Sequence, residues 1–500
     1  MEKQDLPGSR RKLSFVHRWS ILAVLLIVSL GIGSWGVVSQ MLHKQPLPVV
    51  RRVVVLNEAP KDLYTAYNDI VYKLSRRDGS VIWKFALKQA YQPDRRIGSY
   101  LQFNVVNDVV YVAVEYGVYA LRASDGKEIW HYFPQLTPIE LAQDRGRICE
   151  VIIDKSLMYL ELTRGDMAAL DLRDGSLKWS NLSFPNGGSF FQSDDTLYVS
   201  ETSANGVPIL HAIDGRTGKE RWRFEQQLIN TSLFSTFVSD GIVYSSGNPL
   251  YAFDARTGKK LWEQRLPNGP VYFGGSQLLN GVLYVGTGAV IAQPGIIAQG
   301  GQAEEQDKLL DYFRVFAFDP KTGKQLWESK AGYFGPLHEV IDGGKSILVE
   351  KVAQKESSLQ ALDAKTGTLR WQISLGELPC TIPGLCFPQV EASENHLYVL
   401  TNKPPYTLQI FDAQTGKQLG QHPIPIPVKE SLDLSAWSND VLYVRASVHE
   451  GDPYSSGSTT SFIHYFIYAF HLENGTLNWK YDIGSLLEVQ VPITKLLLAP

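Results

Sequence analysis

The chain has 500 residues, of which 44% are hydrophobic and 20% charged, with a formal net charge of −3. That length exceeds the usual single core and points to several domains or one large repeat array. The balance excludes long disorder and gives no basic excess of the kind a nucleic-acid partner requires. The 11 Trp and 24 Tyr suit strands better than helices. The three cysteines, Cys149, Cys380 and Cys386, form no CxxC pair, which excludes a thiolate zinc site and c-type haem attachment at the motif level.

The first predicted element is an apolar helix. Residues 19–38 carry no charge, a run long enough to cross a bilayer. Lys3, Arg10, Arg11, Lys12 and Arg18 precede it, so the positive-inside rule keeps residues 1–18 in the cytoplasm and places the rest on the far side of a cell membrane. A cleavable signal peptide is the rival reading. The length of the run and the lack of an A-x-A site disfavour it. GIGSWG, residues 31–36, matches G-x-G-x-x-G, but it lacks the strand and helix that a dinucleotide turn needs and reads as small residues within a span. Residues 39–59, with Pro46 and Pro48, read as a stiff linker.

Residues 60–500 repeat one phrase. AFDARTGKKLWE (252–263) returns as AFDPKTGKQLWE (317–328) with three of twelve positions changed. Its glycine recurs at Gly79, Gly126, Gly175, Gly218, Gly258, Gly323, Gly367, Gly416 and Gly475, mostly 40 to 49 residues apart. Four residues later stands an indole in eight copies: Trp83, Trp130, Trp179, Trp222, Trp262, Trp327, Trp371 and Trp479, with Gly420 in the ninth. An Asp four residues before the glycine holds in six copies, from Asp171 to Asp412. Each copy predicts a hairpin. The Asp accepts turn amides, the Gly closes the turn, and the Trp leaves on the returning strand. Earlier β-prone runs, such as LNGVLYVGTG (279–288), bring each unit to about four strands, which is one propeller blade.

The phrase A-x-D-x-x-T-G-K-x-x-W resembles the tryptophan-docking repeat of pyrroloquinoline-quinone (PQQ) type β-propellers, a family that includes quinoprotein alcohol dehydrogenases and BamB-like propellers. The resemblance covers about residues 60–485. It implies that each indole lies between blades against a small residue and a turn peptide. Ala120, Ala169, Ala212, Ala252, Ala317, Ala361 and Ala469 supply the small residue. Lys73 in the first unit, and Ile410 with Gly420 in the eighth, make those two joints irregular. The family usually has eight blades, whereas nine hairpins are counted here; eight is favoured and nine stays open. The tail 485–500 is strand-like and suited to closing the ring against the first blade.

The resemblance also raises quinone chemistry, with PQQ and Ca²⁺ as cofactors of an alcohol or sugar dehydrogenase. Many such enzymes carry adjacent cysteines and a Glu, Asn and Asp set for Ca²⁺. The chain has no Cys-Cys pair, and that set maps onto none of its stretches. The preferred reading is therefore a non-catalytic binding or scaffold module without cofactor or metal, whose partner is a protein or a cell-envelope component.

Departures from the period mark the candidate partner face. Residues 289–313 and 447–465 are insertions between the second and third strands of their units. The first holds Glu304, Glu305, Asp307 and Asp311, and the second holds Tyr454. Strand alternation places both on one face with the loop ELPCTIPGLC (377–386). Cys380 and Cys386 in that loop read either as a disulfide or as two thiols. Loops on a rigid scaffold commonly carry function.

Overall fold

The second strands of the repeat units, such as Val109–Val114 (VVYVAV), are apolar on both sides and buried along nearly their whole length. The outer strands, such as Lys260–Gln264 (KLWEQ), keep little more than the indole out of water. That contrast is what sheets stacked face to face require. A middle strand touches a neighbouring blade on each side, and the outermost strand borders solvent. The structure, a computed structural model, describes residues 62–499 except for loops. The longest omitted stretches are 89–100, 227–235, 267–275, 288–313, 378–388, 451–461 and 488–496. The expected basic segment, transmembrane helix and linker lie outside the described residues. Within the latter, no helix is long and apolar enough to cross a membrane.

The fold is an all-β propeller of nine four-stranded antiparallel sheets. Blades 2 to 9 each use four consecutive strands, spanning 101–132, 148–181, 187–225, 236–264, 276–328, 333–377, 389–423 and 431–487. Blade 1 is composite. Its strands Asp62–Tyr67, Ile70–Leu74 and Val81–Ala86 are completed by Leu497–Ala499, with Leu63 opposite Leu498. The first strands of neighbouring blades approach one another, so they line the axis. The favoured count of eight is therefore corrected to nine. Every hairpin heads its own blade, and the tail completes the first blade instead of leaving it to merge with the last.

Each blade carries the same irregularity. In blade 5, Ala252 lies opposite Trp262 while Phe253 lies opposite Lys260, so Leu261 is an unpaired bulge residue. The same one-residue slip occurs at the equivalent position in the other eight sheets. A bulge bends the strand and raises its twist. Here it turns the indole onto the next blade, and it interrupts the one edge that a closed ring leaves open to another chain.

The turn before the bulge depends on glycine twice over. Gly323 has φ of +69°, and a Cβ on it would stand 2.6 Å from Cδ2 of Trp262. Gly281 has a similar φ of +74° but nothing within 4 Å of that position. Gly281→Ala is expected to cost only the backbone strain of a left-handed residue, about 1–3 kcal/mol. Gly323→Ala is expected to cost clearly more, because the indole must also shift. Urea denaturation of the two variants side by side checks this; equal losses would show that the close approach to Trp262 contributes nothing.

Candidate functional site

The predicted Trp and Gly residues come together in pairs from successive blades. Trp262 Nε1 donates to Pro320 O at 2.9 Å in the turn of blade 6, and its ring covers Gly323. Trp83, Trp130, Trp179, Trp222, Trp327 and Trp371 do the same to Ala123, Leu172, Gly215, Ala255, Ala364 and Ala413, at 2.8 to 3.2 Å. Trp479 reaches back to Arg76 O at 2.9 Å, joining blade 9 to blade 1. The alanines lie opposite the indoles in the same sheet, as Ala120 does with Trp130 and Ala469 with Trp479. The small residue and the ring thus belong to one blade, and the turn peptide belongs to the next.

The Asp residues organise the turns. Asp254 accepts from the amide and hydroxyl of Thr257 at 2.8 and 2.6 Å, and Asp319 and Asp412 make the same pair with Thr322 and Thr415. These bonds hold all three carboxyls below their usual range. They are charge-assisted turn clamps.

Sequence reading passed over a tyrosine in the second strand. In seven blades this ring packs on the indole of its own sheet with centroids 5.8 to 6.3 Å apart, from Tyr64–Trp83 to Tyr443–Trp479. In four of them its hydroxyl donates to the carbonyl that the indole already uses: Tyr111 to Leu172, Tyr198 to Ala255, Tyr244 to Pro320 and Tyr284 to Ala364. The signal was present as a tyrosine recurring in the second strands, within LYV in blades 4, 6, 8 and 9. Burial, helped by Asp240 beside Tyr244 and Asp363 beside Tyr284, pushes these two phenols up to about 12.

The two joints expected to be irregular differ from each other. At blade 1, Lys73 Nζ donates to Ala123 O at 3.0 Å beside Trp83 Nε1, so the indole docking is retained. At blade 8 the indole is absent. A Cβ on Gly475 would meet His422 and Ile424 instead. There the buried Glu430 links the blades, accepting from Tyr468 Oη at 2.6 Å while its main-chain carbonyl accepts from Tyr406 Oη at 2.8 Å. Lys480 lies 3.5 Å from the Phe466 ring centroid and 3.6 Å from Glu430.

The candidate partner face is defined by where its loops are mounted. The 289–313 insertion joins Val282–Thr287 to Arg314–Phe318, the second and third strands of blade 6. The insertion containing 451–461 joins the second and third strands of blade 9, which pair out to Glu450 opposite Phe462. The 378–388 loop leads from the last strand of blade 7 to the first of blade 8. In an antiparallel sheet all three connections leave at the same end. Glu304, Glu305, Asp307, Asp311, Tyr454, Cys380 and Cys386 lie outside the described residues. Blades 7 and 9 have strands of seven to eleven residues, whereas those of blade 8 between them have four to six.

The same end of the ring carries titratable groups that no motif revealed. Glu150 and Glu161 are opposite one another in blade 3. Burial and the neighbouring Glu150 charge push the Glu161 carboxyl up to about 8. In blade 4 the buried His211 faces Glu220 at 2.6 Å and Glu201 at 3.1 Å, with the edge of Phe184 against it. This arrangement pins three strands. These pairings cross between strands, so no sequence spacing marks them. Among the described residues no group of three or more His, Cys, Asp or Glu side chains is placed to hold a metal ion.

A closed ring of sheets locked by indole-on-turn contacts is the PQQ type of β-propeller. A family model described as outer membrane protein assembly factor BamB matches residues 51–192, 185–300 and 311–497, and the chain belongs to this family. Three relatives illustrate its range. A tetrathionate hydrolase from Acidithiobacillus ferrooxidans is 26% identical over 360 residues, 65% of this chain and 67% of that protein. An outer membrane protein assembly factor BamB from Moranella endobia is 26% identical over 284 residues, 55% of this chain and 66% of that protein. A quinohemoprotein alcohol dehydrogenase from Comamonas testosteroni is 28% identical over 173 residues, 32% of this chain and 22% of that protein.

Two pH effects follow from these groups. Glu161 keeps its proton in the folded chain at pH values where the unfolded chain has lost it, so its contribution to stability is present below about pH 4.5 and lost as pH rises toward 8. Glu161→Gln should therefore raise the melting temperature at pH 8 and leave it unchanged at pH 4. A gain of equal size at both values would show that ionisation is not the cause. The phenols act at the alkaline end. Folded Tyr244 and Tyr284 stay protonated up to about 12, while unfolded tyrosine ionises near 10. Urea midpoints should fall steadily between about pH 10 and 12, with a smaller fall in the Tyr244→Phe variant.

Proposed function

We propose that the chain is a membrane-tethered propeller, held outside the cytoplasm, that binds a protein or cell-envelope partner and carries out no chemistry of its own. The observation that carries this reading is the mounting of two period-breaking insertions and the 378–388 loop on one end of a nine-bladed ring. Rigid rings with variable loops are binding platforms by construction. Family membership supports the same reading, since one relative is an assembly factor. The uncharged run 19–38 supports the tether.

A second reading is favoured by the likeness to a quinohemoprotein alcohol dehydrogenase. It makes the chain a PQQ- and Ca²⁺-dependent oxidoreductase. Adding both cofactors to the purified chain and following dye reduction with alcohols and sugars separates the two readings. Tetrathionate hydrolysis is assayed on the same preparation. Turnover above background in any arm would overturn the non-catalytic reading.

The binding reading has its own test. In membranes carrying the full chain, a photo-crosslinking residue at position 454 is expected to capture one discrete partner. Replacing 289–313 with a short Gly-Ser linker should reduce that capture by about tenfold, a loss of some 1.4 kcal/mol, with the melting temperature unchanged. Undiminished capture would remove the insertion from the interface.

A further inference from the structure

The seam between blades 4 and 5 is polar on both of its sides. The residue four positions after the indole is the last to face the next blade. It is Leu87, Pro134, Leu266, Leu375 or Ile483 wherever else it is described, and Ile424 at the matching place in blade 8. In blade 4 it is Gln226. The residue after the second-strand tyrosine, or after its equivalent, faces the preceding blade. It is Val or Leu in blades 2, 3, 4, 6, 7, 8 and 9, as Val112 is in blade 2; it is Thr65 in blade 1, whose buried hydroxyl is likewise unpaired, and Ser245 in blade 5. The seam between blades 4 and 5 therefore places an amide and a hydroxyl where the 5/6 seam buries Leu266 and Val285.

These groups share one location. Gln226 extends the outer strand of blade 4 by a main-chain bond to Pro208 O at 2.9 Å, on the same side of the strand as Trp222 and Phe224. Across the seam, Thr236 is the strand partner of Ser245. Phe224 and Tyr251 meet just beneath, with ring centroids 5.2 Å apart. Gln226 is 1% exposed, Ser245 0% and Thr236 8%. Neither amide atom of Gln226, nor the hydroxyl of Thr236 or Ser245, has a hydrogen-bond partner. Each such buried group is destabilising when its hydrogen bonds are left unmade, and Leu and Val at these positions would carry no such penalty.

We propose that this end of the 4/5 seam is a binding site for a small neutral polyhydroxyl molecule, such as a sugar or polyol. The chemistry fixes the class. The amide offers two donors and one acceptor, and the two hydroxyls both donate and accept. Adjacent hydroxyls on a sugar match that alternation. Phe224 and Tyr251 form an aromatic floor of the kind that C–H faces pack against. The polar groups named are all uncharged, which suits a neutral ligand. It lies toward the loop-bearing end of the ring and is independent of the partner reading above.

The test uses the purified full chain with glycerol, glucose and N-acetylglucosamine as probes. Titration calorimetry is expected to give saturable binding for at least one of them. Gln226→Leu with Ser245→Val, which installs the residues of the neighbouring seams, should weaken it by about tenfold or more. The same double variant without probe should melt at a higher temperature than the parent, which shows that it folds. The control Leu266→Gln, in the 5/6 seam, should leave probe binding unchanged. No saturable heat from any probe, or binding that survives in the double variant, would overturn the proposal.

Discussion

At eight of the nine joints the structure depends on one backbone carbonyl, the oxygen of a turn residue three positions before the turn glycine. It accepts the indole N–H of the preceding blade, and at four joints the tyrosine hydroxyl of that blade as well. A blade exposes two apolar faces, and only its neighbours can cover them. Burying the ring supplies the free energy, since each indole withdraws roughly 150–250 Å² from water. The hydrogen bonds supply direction. They fix which turn the ring covers and therefore how far each blade rotates from the last. The bulge, the turn glycine and the clamping Asp all serve this contact.

How much of this was legible follows from the range of each interaction. The indole, glycine and Asp sit within nine residues of one another, so repetition alone exposes them. The tyrosine repeats as regularly, but it lies inside an apolar strand where one more aromatic carries no contrast. The blade count was hidden because the first blade borrows a strand from residues 497–499, and an incomplete unit at each end of a repeat array reads equally as one shared blade or two. Lys73 looked like a break in the pattern, yet its ammonium reaches the same oxygen as the indole it lies opposite. Glu150 with Glu161, and His211 with Glu201, meet only through strand pairing. Their sequence positions carry no sign of it.

The ring is thus regular in mechanism and uneven in composition. Joint 8/9 replaces an indole with a buried carboxylate and two phenols. Seam 4/5 replaces hydrocarbon with an amide and hydroxyls. Blades 7 and 9 outgrow the sheet between them. Among these deviations, the lengthened strands and the polar seam lie toward the end where the period-breaking loops emerge, while the turn end keeps its left-handed glycine in all nine blades.

The three-residue strand at the far terminus has a consequence in time as well as space. Asp62–Tyr64 is among the first parts of the ring to be synthesised, and its partner Leu497–Ala499 is the last. The axis-facing edge of blade 1 stays unpaired until more than four hundred intervening residues have been made. Contacts so distant in sequence are slow to form, and an unpaired edge is a hazard while it waits. Docking of Trp479 on Arg76 O can bring blade 9 to blade 1, but the inner edge of blade 1 is covered only when residues 497–499 pair with it.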